Sequence, residues 1–257
     1  MIDFVRACCV LALASLVFFS SLCWAVPVPP TPASSGSGSE IELRAFAKAE
    51  KTSWMLEGVQ RSDTDARDTK TLSFGAYYRL LDAMKVGVFY RRAYGLRHDN
   101  DWINPGGAWS WQVTKSRGEN ILFADATPKI QFKFLPGTNW VGEVKTRYFY
   151  NFFNKERSVS IRPGLTYFWL RGDEPFMNFF VQYETDIPLN FSQTSQNEKW
   201  LYFGALYQVA DFFQIGGVIA RHTETWTTSS TFSSLSSNQY SVTDRSVVYS
   251  LSAIFQL

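Results

Sequence analysis

Two histidines are the side chains of this chain best suited to take up a proton, and each has carboxylates close by in the sequence. His98 begins the run His98-Asp-Asn-Asp101, and His222 is followed by Thr223 and Glu224. In an extended strand, residues two apart lie on one face, so Glu224 shares a face with His222 if this stretch is a strand. A histidine oriented by a carboxylate can act as a general base.

The same run around His98 also has the residue types of a metal site. His98, Asp99 and Asp101 could ligate a cation together, but Asp- and Asn-rich loops are more often solvated turns. We therefore expect no metal site and no cofactor. Three tryptophans in the same long segment, 96–120, are candidates for contact with a sugar or a protein surface: Trp102, Trp109 and Trp111.

A larger set of charged residues recurs at every second position, opposite apolar residues. If the apolar faces point outwards, these side chains line an interior. They are Glu42, Arg44, Lys48, Arg79, Lys85, Arg91, Asp125, Lys129, Lys133, Glu143, Lys145, Arg147, Arg162, Glu184 and Asp186. Ten of the fifteen are basic, and such a surplus in a confined passage raises the local anion concentration.

The elements that position these residues are strands. From residue 40 onwards, apolar and polar residues alternate with the period of two of a strand that has one apolar face. We count ten such stretches; the first covers 41–59, with a bulge or the start of a loop near 50–53, where the phase of the alternation changes. Short and long connections alternate along the chain, as in outer-membrane barrels.

The predicted fold is an all-β, antiparallel, up-and-down transmembrane β-barrel of ten strands. Eight strands stay open as an alternative if the first stretch does not span, and twelve if 108–114 is a spanning strand. An even strand number places both ends of the barrel on one side of the membrane. A soluble β-sandwich or lipocalin-like barrel would show the same alternation with the apolar face turned inwards.

Composition restricts the function classes. The chain has 257 residues, 17% aromatic and 19% charged, with a net charge of +2 and a mean hydropathy of −0.14. The net charge is too small to indicate a nucleic-acid partner. The N-terminus alone has an apolar run near the length of a spanning helix, which argues against a multi-helix membrane protein.

The N-terminal region reads as an export signal followed by a linker. Residues 1–25 have one positive charge at Arg6, an apolar core, and small residues before a cut after Ala25. Residues 26–39 are rich in Pro, Gly and Ser and are typical of a flexible linker, so we assign the barrel to 40–257. All three cysteines, Cys8, Cys9 and Cys23, lie in the signal, which leaves the exported chain without a thiol.

The last stretch of the chain has an apolar face that includes Tyr249, Leu251, Phe255 and Leu257. This stretch resembles the C-terminal signal of Gram-negative outer-membrane β-barrels, which the barrel-assembly machinery reads. The resemblance implies a bacterial outer-membrane location, with outer-membrane lipid and lipopolysaccharide as surroundings. The signal usually ends in Phe or Trp, whereas this chain ends in Leu257.

Ten strands is also the strand number of the omptin proteases. Their order of Asp followed two residues later by His is absent, and neither histidine is followed two residues later by the Ser of the outer-membrane phospholipases. We therefore expect no enzyme, with an omptin-like protease as the remaining enzymatic alternative. The leading hypothesis is a narrow passive channel with a weakly anion-favouring lumen. The alternative is a non-conducting barrel that acts in adhesion, envelope structure or partner docking through its long loops.

Overall fold

The computed structural model describes residues 35–62, 68–95, 118–132, 139–172, 174–190, 194–228 and 241–257. Within them, eleven strands form one closed barrel. The strands are β1 (Ser35–Ala49), β2 (Thr52–Ser62), β3 (Asp68–Leu81), β4 (Met84–Tyr94), β5 (Glu119–Gln131), β6 (Trp140–Asn151), β7 (Arg157–Arg171), β8 (Glu174–Pro188), β9 (Thr194–Ala210), β10 (Phe213–Thr228) and β11 (Ser241–Gln256).

The expected all-β barrel is therefore present, but the expectation of ten strands is wrong. The first predicted stretch is a hairpin of β1 and β2, joined by a two-residue turn at Glu50 and Lys51. The change of phase near residue 50, where a bulge or the start of a loop was expected, marks a two-residue turn that reverses the chain. Glu50 has a φ of 45°, the left-handed conformation that tight turns use.

The barrel also starts earlier than the sequence indicates. Ser35–Ser39, which we had placed in the linker, form the first part of β1 and pair with Arg245–Tyr249 of β11. Gly and Ser carry little side-chain signal for a strand, so the backbone pairing with β11 could not be read from this segment.

The barrel closes with a parallel pair of strands, β1 and β11. An up-and-down barrel of ten strands would close with an antiparallel pair. Every other neighbouring pair is antiparallel, whereas β1 and β11 run in the same direction. We followed directly paired residues from strand to strand around the barrel, starting at Ala49 of β1. The path passes through all the other strands and comes back to β1 at Ser35, fourteen residues before its starting point. With eleven strands, this stagger corresponds to a strand tilt of about 40–45°.

The two rims of the barrel differ in their connections. Only two residues separate β1 from β2, β3 from β4, β7 from β8 and β9 from β10 at one end, here called the short-turn rim. The other end, the long-loop rim, has the connections of residues 95–118 and 229–240. Because the strand number is odd, β1 begins at the long-loop rim while β11 ends at the short-turn rim.

The side chains are arranged inside out compared with a water-soluble barrel. On β3, Leu72 and Phe74 are 55% and 54% exposed on the outer surface, whereas Ser73 between them is 0% exposed. The same alternation continues around the barrel and produces an outer surface of large apolar side chains, among them Val88, Tyr148, Phe203, Ile219 and Leu251.

No helix in the described part of the chain is long and apolar enough to cross a membrane.

Candidate functional site in the barrel interior

A belt of ion pairs crosses the middle of the interior. We call it the ion-pair belt, and it consists of Arg44, Glu57, Arg91, Asp125, Lys145, Arg147, Arg162 and Glu184. Strands β1 to β8 all contribute except β3, and each residue is on the inward-facing side of its strand. Each contact joins two strands that are adjacent or one strand apart in the barrel.

Glu57 is shared by two arginines. Arg44 Nε donates to its Oε2 at 3.0 Å, and Arg91 Nη2 donates to its Oε1 at 3.3 Å. Ser73 donates a further hydrogen bond to Oε1 at 3.4 Å. Glu57 is only 8% exposed, so this carboxylate depends on the two guanidinium groups for its charge balance.

Asp125, on β5, is a second carboxylate that two cations share. Its side chain is 0% exposed and lies 3.0 Å from Arg147 Nη2 and 3.4 Å from Lys145 Nζ. Tyr77 connects the two charges, since its hydroxyl donates to Asp125 at 3.4 Å and accepts from Lys145 at 3.2 Å.

The third pair holds β7 and β8 together. Arg162 Nε donates to Glu184 Oε2 at 2.8 Å, and the Tyr202 hydroxyl donates to the same oxygen at 3.1 Å. Ser160 hydrogen-bonds the other carboxylate oxygen. The belt therefore contains five cations and three carboxylates, each carboxylate with at least two donors.

An aromatic cluster fills part of the interior behind the belt. Met55, Tyr77, Phe89 and Phe123 form its buried centre. The Arg91 and Arg147 guanidinium carbons lie 4.9 and 4.3 Å from the centre of the Phe123 ring, so both cations are attracted to its π-face. The belt is thus supported from one side by rings as well as by carboxylates.

Two glycines leave the space that Phe89 occupies. A Cβ atom at Gly75 would lie 2.5 Å from Phe89 Cδ1, and a Cβ atom at Gly87 would lie 2.5 Å from Phe89 Cε2. Glycines on β9 and β10 make room in the same way, because a Cβ atom at Gly204 would meet the Phe180 ring and one at Gly216 would meet the Leu206 side chain. Side chains therefore fill part of the interior on both sides of the barrel.

A cavity of about 740 Å³ lies in the interior and is lined by residues of all eleven strands. Its lining reaches from Asn190 and Glu224 at the long-loop end to Lys129 and Asn178 near the short-turn end. It has room for about 25 water molecules. A second cavity of about 200 Å³ lies at the short-turn rim. The two cavities share four lining residues, here called the neck: Tyr77, Lys85, Thr127 and Lys129.

His222 faces the interior near the long-loop rim. Its ring stacks on Trp200 with 3.8 Å between ring centres, and its Nε2 lies 3.5 Å from Glu198 Oε2. Arg61 covers the same tryptophan at 4.5 Å and donates to Glu40 at 2.8 Å. The carboxylate that contacts His222 is therefore Glu198 on the neighbouring strand, and the imidazole packs against the Trp200 ring.

Most of the predicted interior residues line the main cavity: Glu42, Arg44, Lys85, Arg91, Lys129, Glu143, Lys145, Arg147, Arg162, Glu184 and Asp186. Lys48 and Arg79 line the second cavity, and Asp125 is buried beneath Lys145 and Arg147. Lys133, His98, Trp102, Trp109 and Trp111 lie outside the described residues. Tyr249, Leu251, Phe255 and Leu257 are on the outer surface, 55%, 67%, 37% and 78% exposed.

The sequence analysis missed several interior carboxylates. Glu57 and Arg61 were missed because the first hairpin was treated as one strand, although alternation counted afresh from residue 52 places Met55, Glu57 and Arg61 on one face. Counted over the described strands, the interior has eleven Lys or Arg and eleven Asp or Glu. They are Arg44, Lys48, Arg61, Arg79, Lys85, Arg91, Lys129, Lys145, Arg147, Arg157 and Arg162, with Glu40, Glu42, Glu57, Glu119, Asp125, Glu143, Glu184, Asp186, Glu198, Glu224 and Asp244. The basic surplus expected from the sequence is thus absent from these strands.

The described residues contain no cluster of three or more His, Cys, Asp or Glu arranged to hold a metal ion. No protein-family model matches the chain, and no curated protein is significantly similar to it. The function is therefore inferred from the geometry of the barrel.

Proposed function

We propose that this protein is an integral outer-membrane β-barrel that acts as a narrow passive channel. The observation that carries the proposal is the combination of an apolar outer surface with a charged interior that still contains a cavity of about 740 Å³. Large exposed apolar surfaces are unfavourable in water and are expected of a wall that faces lipid. A water-filled, charged interior is what passage of small ions requires.

The neck sets the size of solute that passes. Lys85 lies 4.2 Å above the ring of Tyr77, and Lys129 of β5 pairs at 3.0 Å with Glu143 on the adjacent strand β6. These long side chains narrow the junction between the two cavities. Because acidic and basic groups are nearly balanced in the interior, we propose little net preference between cations and anions, in place of the anion preference expected from the sequence.

The test is conductance of the refolded chain from residue 26 onwards, the exported form under this proposal, in a planar bilayer of uncharged lipid. Discrete steps are expected for the unmodified chain. The variant Lys85→Ala, Lys129→Ala shortens two neck side chains, so we expect its step to be larger by about twofold. The matched control Lys70→Ala, Lys199→Ala removes the same two charges from exposed outward positions and should leave the step unchanged.

A second candidate function follows from the ion-pair belt itself. Cation–carboxylate contacts that link β1, β2, β4, β5, β6, β7 and β8 would also hold a closed, rigid scaffold that works through its loops. A silent bilayer, for a chain whose folded barrel is shown by its shifted mobility in an unheated gel, would contradict the channel and favour this scaffold.

A further inference from the structure

Three cations lie together on the outer surface, near the long-loop end of β9, β10 and β11. They are Lys199, Arg221 and Arg245, and all three side chains are exposed. Lys199 and Arg245 are paired with Thr223 from its two sides, and Arg221 is two residues from Thr223 on the same face of β10. Arg221 is therefore the diagonal neighbour of both other cations, at a spacing of about 7–8 Å that long side chains can bridge. We call these three residues the outer cation cluster.

The outer cation cluster has no carboxylate beside it on the outer surface. Among the described outward-facing residues at this end of β8 to β11 and of β1, none is Asp or Glu. None of the three cations forms an ion pair with a described residue. Like charges at neighbouring positions of a sheet repel each other, so an anion bound from outside the chain would relieve this repulsion.

The connections that join these strands do not supply the missing negative charge. Residues 191–193 and 229–240, which lie outside the described structure, contain no Asp, Glu, Lys or Arg. Residues 26–34, ahead of β1, contain none either. Glu198 and Asp244 are next to two of the cations in sequence, but their side chains face the interior. Because successive side chains point to opposite faces, these two carboxylates lie on the other side of the wall from a ligand of the cluster.

The outer cation cluster directly follows the apolar part of the outer surface. On each of the three strands, the next outward residue towards the short-turn rim is apolar: Leu201, Ile219 and Val247. Further along the same strands, Phe203 and Tyr249 continue the apolar face. In a barrel that spans a bilayer, cations at such positions lie where the hydrocarbon ends and the lipid headgroups begin.

A ligand that matches this surface has an anionic headgroup attached to hydrocarbon chains. Arginine binds phosphate oxygens with two parallel hydrogen bonds, and lysine binds them as a point charge. The hydroxyl of Thr223, between the three cations, can donate a further hydrogen bond. The long loops of outer-membrane barrels are on the outside of the cell, so the lipid leaflet at this rim is the one that holds lipopolysaccharide.

We infer that the outer cation cluster binds the phosphate groups of a lipid of the lipopolysaccharide class, in the leaflet at the long-loop rim. This site rests on the outer-membrane location proposed above and does not depend on conduction.

The measurement is binding of diphosphoryl lipid A to the refolded chain from residue 26 onwards, in uncharged maltoside micelles with a chelator of divalent cations. The lipid that stays with the barrel in size-exclusion chromatography is counted at rising lipid concentrations, which gives an affinity. Saturable binding is expected. The affinity should fall between 0.1 M and 1 M salt, because the Debye length shortens from about 10 Å to about 3 Å.

A triple variant assigns the binding to the outer cation cluster. Lys199→Gln, Arg221→Gln, Arg245→Gln should weaken the affinity by about tenfold or more, since each cation near an anionic lipid surface contributes. The matched control Lys51→Gln, Lys70→Gln, Arg171→Gln removes three charges from exposed positions elsewhere and should keep the affinity of the unmodified chain. Both variants change exposed side chains only, and their folding is checked by the mobility of unheated samples in a gel. An equal loss in the two variants would mean that net charge binds the lipid, and would overturn the site.

Two further ligands test the chemistry of recognition. Lipid A from which both phosphates have been removed should bind about tenfold more weakly or worse, and equal binding would overturn phosphate recognition. Inorganic phosphate is added as a competitor and should not displace the lipid at concentrations comparable to that of the lipid. Displacement at such concentrations would mean that the site takes free phosphate, and would overturn the assignment to a lipid.

Flotation with phosphatidylcholine vesicles separates this site from the proposed function. A folded chain that does not float with the vesicles contradicts the membrane location. A chain that floats, but whose triple variant binds lipid A as tightly as the unmodified chain, overturns the lipid site and leaves the membrane location standing.

Discussion

Ile41 of β1 and Leu251 of β11 lie opposite each other on two strands that run in the same direction. This pair closes the barrel with the one parallel seam among its eleven described strands. Parallel closure follows from an odd strand number, because each hairpin reverses the chain once. The start of β1 and the end of β11 therefore lie at opposite rims.

The parallel seam predicts a specific set of disulfides. Ser39→Cys with Tyr249→Cys, and Leu43→Cys with Ala253→Cys, place cysteines at directly paired positions on the outer surface. Both pairs should cross-link under mild oxidation, because paired strand residues have Cα atoms within the range that a disulfide needs. The exchanged pairs, Ser39→Cys with Ala253→Cys and Leu43→Cys with Tyr249→Cys, are the control. Cross-linking of the exchanged pairs in preference to the direct ones would show an antiparallel seam.

Glu57→Gln should lower the stability of the barrel strongly. It removes the carboxylate that Arg44 and Arg91 both contact, but Arg44 keeps its ion pair with Glu42, so the loss falls mainly on Arg91. Removal of one partner of a buried ion pair costs about 3 kcal/mol or more. Urea unfolding of the refolded barrel, followed by tryptophan fluorescence, measures the change in the free energy of unfolding. Glu174→Gln, at an exposed position near the short-turn rim, is the control and should change it by less than about 0.5 kcal/mol. Equal stability of the two variants would mean that the lumen water, and not Glu57, balances these arginines.

Gly75→Ala should destabilise the barrel through the aromatic cluster. The added methyl would meet Val88 O at 2.2 Å and Phe89 Cδ1 at 2.5 Å, so either the backbone or the ring must move. Overpacking of this kind costs about 1–3 kcal/mol. Gly58→Ala is the matched control, because nothing lies within 4 Å of a Cβ atom at that position. The same urea titration compares them, and a Gly75→Ala midpoint at or above that of Gly58→Ala would contradict the close packing around Phe89.

The proposal that the apolar outer surface faces lipid is tested with arginine on β10. Ile219 is 53% exposed at mid-strand, and Ile219→Arg should cost about 2–4 kcal/mol if this face lies in a bilayer. Thr223→Arg, on the same face but past the natural Arg221 towards the rim, should cost about 1 kcal/mol or less. Unfolding in lipid vesicles gives both values. If the two substitutions cost the same small amount, the outer surface does not face a hydrocarbon core.

Much of the barrel could be predicted from local sequence pattern. The alternation in β3, β4 and β9 assigns each residue to the inner or outer face, because successive side chains of a strand point to opposite sides whatever the strand pairs with. The interior positions of Arg44, Lys145 and Arg162 follow from that rule alone. Where a reversal takes only two residues, as at Glu50 and Lys51, the same pattern cannot separate a turn from a bulge, and one strand was therefore missed.

Pairing across the interior was decided by the tertiary structure. Glu57 contacts Arg44 and Arg91, which are 13 and 34 residues away, because the pairing of β1 to β4 places these inward-facing side chains beside one another. Lys199 and Arg245 lie on the two sides of β10 at the same position because of the registers of β9, β10 and β11. Side-chain direction is a property of each strand by itself. The register between strands, the odd strand number and the charge balance of the interior are properties of the closed sheet. The sequence by itself therefore determined which side chains face inwards, and only the closed barrel determined which of them meet.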